Sequence, residues 1–139
     1  VKIQLSFIKL GGENSIVDNI GGKSGGGIAI PINTADGTLK DIGYMEVGKI
    51  LRVNKIPSTG LSFSGFKVPY YKDAENLVIK AHKNVFYELK HIGWDVGITN
   101  SGPVLIEANS GADMFAAQMI CRPFNYYDDE MIQENLICE

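Results

Sequence analysis

The chain has 139 residues, of which 45% are hydrophobic and 21% are charged, so it is long enough to bury a core in a single domain over residues 1–139. Its formal net charge of −3, from 13 basic and 16 acidic residues without a basic stripe, argues against nonspecific nucleic-acid binding. No apolar run approaches the roughly 18 residues that a membrane-spanning helix needs, so no membrane span is expected.

The first residue and the cysteines bear on whether the chain is part of a longer polypeptide and on its cellular compartment. The first residue is Val1, already inside a strand-like pattern, which is typical of a segment of a longer polypeptide. Cys121 and Cys138 are the two cysteines, and two thiols form neither a disulfide framework nor a metal-ligand set. A reducing cytoplasm is therefore the expected location.

The first half of the chain has the pattern of an antiparallel sheet. The glycine-rich segment 11–27 predicts a connection, and TADG at 34–37 predicts a hairpin turn. Predicted strands cover residues 1–10, 28–33, 38–45 and 47–53.

The second half contains the predicted helices. Residues 54–69 are rich in glycine and proline and predict a loop, after which Asp73 is expected to cap a helix that continues to about His91. His82 and His91 are expected to be solvated on this helix. Short helices are also predicted at 114–120 and from Asp128. Strands at both ends, with a helix before the last hairpin, predict an α+β fold.

Two short strands joined by a turn are predicted within residues 92–109. Alternating apolar residues give each strand one apolar face, and residues 99–103 supply turn chemistry. Asn109 lies on the same face as the acids of this hairpin. With a five-residue loop, the opposed residues are Ile98 and Val104, Trp94 and Ala108, and Asp95 and Glu107.

The opposed acids need an explanation, because like charges destabilise a sheet at Cβ separations of about 4.5–5.5 Å. A cation can lie between them, one acid can be protonated, or both can be well solvated. Carboxylate and amide oxygens from Asp95, Glu107 and Asn109 suit Mg²⁺ or Mn²⁺. A solvated polar face with a slightly different register is the alternative.

The glycine-rich segment contains Gly22-Lys23-Ser24, the end of a phosphate-binding P-loop pattern. The glycine that this pattern needs five positions earlier is replaced by Val17, and a strand pattern follows where a helix is required. The segment is instead a flexible cover over a ligand or a plain surface loop.

Three segments of the chain resemble the sugar-transfer-associated branch of the ATP-grasp enzymes. IGWDVGITNSGPVLIEAN (92–109) is similar to the terminal metal-binding hairpin of ATP-grasp enzymes. SIVDNIGGKSGGGIAIPIN (15–33) and PSTGLSFSGFKVPYYKDAENLVIKAHKN (57–84) resemble two earlier segments of that branch, in the same order. Together the similarity covers about residues 6–118.

The resemblance implies the C-terminal portion of an ATP-grasp domain, in which ATP lies between two α+β subdomains. The missing N-terminal half of the same polypeptide would then carry the lysines for the α- and β-phosphates and much of the adenine pocket. Such enzymes are ligases that use ATP and Mg²⁺ (or Mn²⁺). They activate a small-molecule carboxylate as an acyl phosphate for attack by an amine or another nucleophile. The branch is associated with cell-surface polysaccharide and sugar-transfer pathways.

The resemblance also implies roles for particular residues. Lys9 takes a position where the family usually has an arginine that contacts phosphate, and a lysine there keeps the charge but loses the bidentate geometry. Asn33 replaces a usual aspartate and receives no role. The implied metal ligands are Asp95, Glu107 and Asn109, and the implied catalytic or cofactor-binding residues are Lys9, Asp18 and Asn19. Lys23 is a further cofactor-binding candidate that could reach a phosphate, and a solvated surface lysine is the equal alternative.

Two hypotheses from other classes remain open. Exposed acids, Asn109 and several tyrosines also suit a noncatalytic carbohydrate- or Ca²⁺-binding module. The second hypothesis is a structural half-domain that pairs with another chain, or with a second copy as a homodimer.

Overall fold

The computed structural model describes residues 1–12, 27–46, 49–111 and Ile120. Within these residues the chain forms antiparallel strands and one helix, which confirms the α+β prediction. The elements are β1 (Phe7–Leu10), β2 (Ile28–Pro31), β3 (Gly43–Glu46), β4 (Ile50–Val53), α1 (Tyr71–Val85), β5 (Gly93–Thr99) and β6 (Gly102–Asn109).

The first four strands form one antiparallel sheet in the order β1-β2-β3-β4. All four residues of β2 are buried: β1 pairs with the whole strand, β3 pairs with Ile28 and Ala29, and core side chains pack against it. Each fully buried apolar side chain of this size contributes about 1.5–3 kcal/mol. The core around β2 consists of Ile28, Ile30, Ile32, Leu39, Phe63 and Val68.

The predicted TADG turn is present between β2 and β3. The backbone N–H of Gly37, which has a φ of 79°, donates to the Asn33 carbonyl at 2.8 Å. The Asp36 carboxylate accepts from the Thr38 hydroxyl at 2.7 Å and from the Thr38 N–H at 2.9 Å. These hydrogen bonds lower the pKa of Asp36. The strand predicted at 38–45 is shorter than expected and begins at Gly43.

The segment 54–69 is a loop, as predicted, but it is also part of the core. Phe63, only 2% exposed, and Val68 enter the core from this loop. A backbone bridge between Lys55 and Ser62 closes the loop on itself, and a bridge between Thr38 and Lys67 joins it to the turn region between β2 and β3. The abundance of glycine and proline predicted the irregular backbone, whereas the anchoring role of two apolar residues was missed.

Helix α1 differs from its prediction at both ends. It begins at Tyr71, so Asp73 lies in the first turn instead of capping the helix, and it ends at Val85 instead of near His91. The prediction of a solvated His82 is wrong. This side chain is 9% exposed, and its Nε2 lies 2.8 Å from the Leu89 carbonyl, to which the ring N–H donates. The bond secures the chain that returns after the helix.

Several sequence predictions fall outside the described residues. These are most of the glycine-rich connection 11–27, most of the helix at 114–120, and the helix from Asp128. Among the residues that are described, no helix is both long and apolar enough to cross a membrane.

Candidate metal centre

The last hairpin closes through a tighter turn than the sequence predicted. β5 ends at Thr99 and β6 begins opposite it at Gly102, so Asn100 and Ser101 form a two-residue turn instead of a five-residue loop. The Thr99 hydroxyl donates to the Gly102 carbonyl at 2.7 Å and accepts from the Ser101 N–H at 3.1 Å. Gly102 has a φ of 116°, a conformation that favours glycine.

The shorter turn changes the register near the tip of the hairpin and leaves it unchanged at the base. The predicted pairing of Ile98 with Val104 is wrong, because Ile98 lies opposite Pro103. A β-bulge at Ile106 absorbs the one-residue difference. Beyond it, the predicted pairs are confirmed: Trp94 with Ala108, and Asp95 with Glu107.

The confirmed register brings the predicted metal ligands to one face of the hairpin. Directly opposed residues of antiparallel strands project to the same side, so Asp95 and Glu107 are neighbours on one face. Asn109 lies two residues beyond Glu107, opposite Gly93, and alternation returns it to that face. Three oxygen-bearing side chains therefore share one surface.

Helix α1 holds this hairpin through contacts at both of its ends. At the start of the helix, the Tyr70 hydroxyl donates to the carbonyl of Asn100 in the hairpin turn at 3.3 Å. After its last turn, the ring of Phe86 meets Trp94 edge-on, with centroids 5.6 Å apart. Trp94 precedes Asp95 in β5, so strand alternation directs the two side chains to opposite faces, and the contact with Phe86 helps to fix the strand.

A cation from the other sheet reaches the acid face. Lys9 lies on β1, 86 positions before Asp95, and its Nζ is 3.3 Å from Asp95 Oδ1. Both side chains are partly buried, with 26% of Lys9 and 39% of Asp95 exposed. The fold thus joins two residues that the family resemblance had assigned to the same site for separate reasons.

The ion pair lies in a cleft of about 1360 Å³ between the N-terminal segment, α1 and β5. Lys9, Asp95 and Asn109 line this cleft, whereas Glu107 is exposed beside it. Burial raises the pKa of the Tyr71 hydroxyl, so this side chain of the cleft wall stays protonated at neutral pH.

The β-bulge adds an apolar feature that alternation alone did not predict. Simple alternation assigned Val104 and Ile106 to the face of Trp94, but both lie against Gly97, on the side of Asp95. A Cβ at Gly97 would stand 3.2 Å from Ile106 Cδ1, so the missing side chain leaves room for this contact. Ile106 is 69% exposed and lines the cleft next to the acids.

The donor chemistry of this face fits a hard divalent cation. Two carboxylates and one amide supply oxygen ligands and leave further coordination positions for water or phosphate oxygens, as Mg²⁺ prefers. Among the described residues no group of three His, Cys, Asp or Glu side chains converges, so a metal here would depend on Asn109 and outside oxygens. Three other predicted site residues, Asp18, Asn19 and Lys23, lie outside the described part of the chain.

Comparison with known proteins adds one match. The family model described as sugar-transfer associated ATP-grasp matches residues 1–123. No curated protein and no solved structure shows significant similarity to the chain. The matched residues include strands β1 to β4, helix α1 and the hairpin of β5 and β6. Because the match covers most of the chain, the chain belongs to the sugar-transfer-associated ATP-grasp family.

Proposed function

We propose that this chain is the metal-binding, C-terminal portion of an ATP-grasp ligase. With Mg²⁺ (or Mn²⁺), the γ-phosphoryl group of ATP passes to a small-molecule carboxylate and ADP is released; an amine or another nucleophile then attacks the acyl phosphate and displaces phosphate. The observation that carries this proposal is the direct opposition of Asp95 and Glu107 on one face, with Lys9 3.3 Å from Asp95.

The residues of the acid face have separate tasks in this proposal. When bound, the divalent cation neutralises phosphate charge and polarises phosphoryl oxygens. Asp95, Glu107 and Asn109 offer the oxygen ligands, and the rigid pairing of β5 with β6 keeps these ligands together. Lys9 supplies a positive charge to a phosphate oxygen, and the apolar side chain of Ile106 offers a surface for the uncharged part of the nucleotide.

We further propose that an N-terminal half of the same polypeptide completes the site. The lysines among the described residues that line the cleft are Lys2, Lys9 and Lys90, and a bound triphosphate needs charge neutralisation along its whole length. The family resemblance assigns the remaining phosphate-binding lysines to that half. Asp18, Asn19 and Lys23 are proposed to lie on the substrate or phosphate side.

The biological setting is also a proposal. The family description associates the chain with sugar transfer, which supports a role in a cell-surface polysaccharide or sugar-transfer pathway in the cytoplasm. The carboxylate and the nucleophile are small molecules in this scheme.

Metal binding by the chain tests the proposed centre directly. Free Mn²⁺ can be measured by electron paramagnetic resonance during titration of the wild type, Glu107→Gln and Asp95→Asn. We expect each substitution to weaken Mn²⁺ binding by about tenfold or more, because each removes a charged oxygen ligand. Glu88→Gln is the matched control, since Glu88 is exposed on a different segment and loses the same charge.

The same titration separates the ligase from a noncatalytic module. Ca²⁺ that binds much more tightly than Mn²⁺ would favour a calcium-binding module, and equal Mn²⁺ affinity in Glu107→Gln and the wild type would remove Glu107 from the centre. In the complete enzyme, Glu107→Gln should abolish Mg²⁺-dependent ATP consumption, and Asp95→Asn should act in the same direction more mildly.

A further inference from the structure

Lys9 places its ammonium group against one of the two carboxylates that are proposed to bind metal. The Nζ of Lys9 lies 3.3 Å from Asp95 Oδ1, and both side chains are partly withdrawn from water. An ammonium group has no lone pair to offer a metal, so Lys9 cannot be a ligand. It instead competes with a divalent cation for the same carboxylate.

The opposed acids explain why a positive charge is needed at this position. Asp95 and Glu107 are directly paired, and like charges in such a pair destabilise the hairpin. Lys9, which lies on the neighbouring sheet, offsets one of these two negative charges. The fold therefore tolerates the acid pair without a metal.

The backbone of Lys9 is fixed, whereas its side chain is long and flexible. Lys9 pairs with Ala29 on β2, which is 0% exposed, and its neighbours Ile8 and Leu10 pack against the core. The four-carbon stem of a lysine can rotate without disturbing such a strand. The ammonium can thus leave Asp95 while β1 stays in place.

We propose that Lys9 is an exchangeable internal counter-ion of the metal centre. Lys9 pairs with Asp95 when no divalent cation is bound. When a cation binds, the Lys9 ammonium group leaves that carboxylate and becomes available to a phosphate group. This inference rests on the proposed metal centre and adds a regulation of it. By thermodynamic linkage, an anion that draws Lys9 away from Asp95 also strengthens metal binding.

The test compares Mn²⁺ affinity in Lys9→Met, Lys9→Arg and Lys55→Met with the wild type, without nucleotide and at fixed ionic strength. We expect Lys9→Met to bind Mn²⁺ roughly three- to tenfold more tightly, because it removes a competing charge from a partly screened site. Lys9→Arg keeps the competing charge and can bind the carboxylate bidentately, so it should show none of the gain in Mn²⁺ affinity expected of Lys9→Met. Lys55 follows β4, at the opposite edge of the sheet from β1, so Lys55→Met controls for net charge.

Two further measurements separate a counter-ion from a merely structural lysine. Without metal, Lys9→Met should have a lower Tm than the wild type, so its stability and its Mn²⁺ affinity change in opposite directions. A general loss of structure would lower both. In the wild type, Mg²⁺ should increase the rate at which an acylating reagent modifies the Lys9 amine, detected by mass spectrometry, and leave Lys55 unchanged.

Each outcome decides the proposal. Tighter binding by Lys9→Met together with faster labelling of Lys9 supports the exchange. Unchanged or weaker Mn²⁺ binding by Lys9→Met, in a protein whose binding still depends on Glu107, overturns the exchange and leaves the metal centre standing. A wild-type chain that binds no Mn²⁺ overturns both.

Discussion

At the scale of single residues, Asp95 and Glu107 lie opposite each other but have different surroundings. Asp95 is partly buried and pairs with Lys9, whereas Glu107 is exposed at the edge of the cleft. The two acids are therefore not equivalent when no metal is bound. Removing the charge of Asp95 also removes an ion pair, and removing that of Glu107 mainly relieves repulsion.

Neutralising each acid in turn, in the absence of metal, should change the stability of the protein differently. In a buffer with a metal chelator, we expect Glu107→Gln to raise the free energy of unfolding by about 0.5 kcal/mol, the scale of one like-charge cross-strand pair. Asp95→Asn should leave the free energy of unfolding unchanged or lower it slightly, because the ion pair between Asp95 and Lys9 is lost. Urea unfolding measures both. A decrease in stability for Glu107→Gln would contradict the repulsion between the acids.

At the scale of secondary-structure elements, the turn between β2 and β3 packs against the beginning of α1. Gly37 has a φ of 79°, and a Cβ there would stand 2.8 Å from Cβ, Cγ and Cδ1 of Tyr71. The glycine is thus required both by its backbone conformation and by the helix beside it. This contact orients α1, which in turn holds the acid hairpin.

Two glycine substitutions separate these requirements. Gly60 has a similar φ of 72° but open space around it, so Gly60→Ala should cost only the backbone strain, about 1–2 kcal/mol. Gly37→Ala should destabilise the protein by about 3 kcal/mol or more, because the new methyl group also collides with Tyr71. Urea unfolding of the two variants compares them, and equal losses would show that the turn moves away from the helix at little cost.

At the scale of the whole molecule, the candidate site depends on two separate sheets meeting. Lys9 comes from the four-stranded sheet and Asp95 from the two-stranded one, and the cleft lies between them. Among the described residues, the lysines that line this cleft of about 1360 Å³ are Lys2, Lys9 and Lys90. In an ATP-grasp enzyme, a second subdomain is proposed to close over such a surface and exclude water.

This incompleteness predicts the activity of the 139-residue chain. We expect it to bind Mn²⁺ yet to hydrolyse ATP far more slowly than about 1 s⁻¹, the lower end of ordinary enzyme turnover. Phosphate release measures this rate, and the Glu107→Gln chain gives the background from contaminating ATPases. Turnover of the wild-type chain at ordinary enzyme rates, absent in that control, would contradict the proposed need for a second half.

Local pattern was enough to predict several features correctly. The α+β class, the TADG turn and the opposition of Asp95 and Glu107 each depend on residues close together in the chain, where alternation and turn chemistry act directly. The register of the acids was correct even though the turn was wrong. The bulge at Ile106 compensated for the shorter loop, a cancellation that alternation does not predict.

The sequence alone therefore specified the family, the class of fold and an acid pair suited to a divalent cation. The folded chain was needed to bring Lys9 to Asp95 across 86 positions, to bury His82 and Phe63, and to turn Ile106 towards the acids. The pairing of Lys9 with Asp95 and the burial of Phe63 depend on packing between distant segments, whereas Ile106 is turned by the bulge within its own hairpin. Neither kind of contact is contained in a local sequence pattern. For the same reason, the counter-ion of the acid pair became visible only in three dimensions.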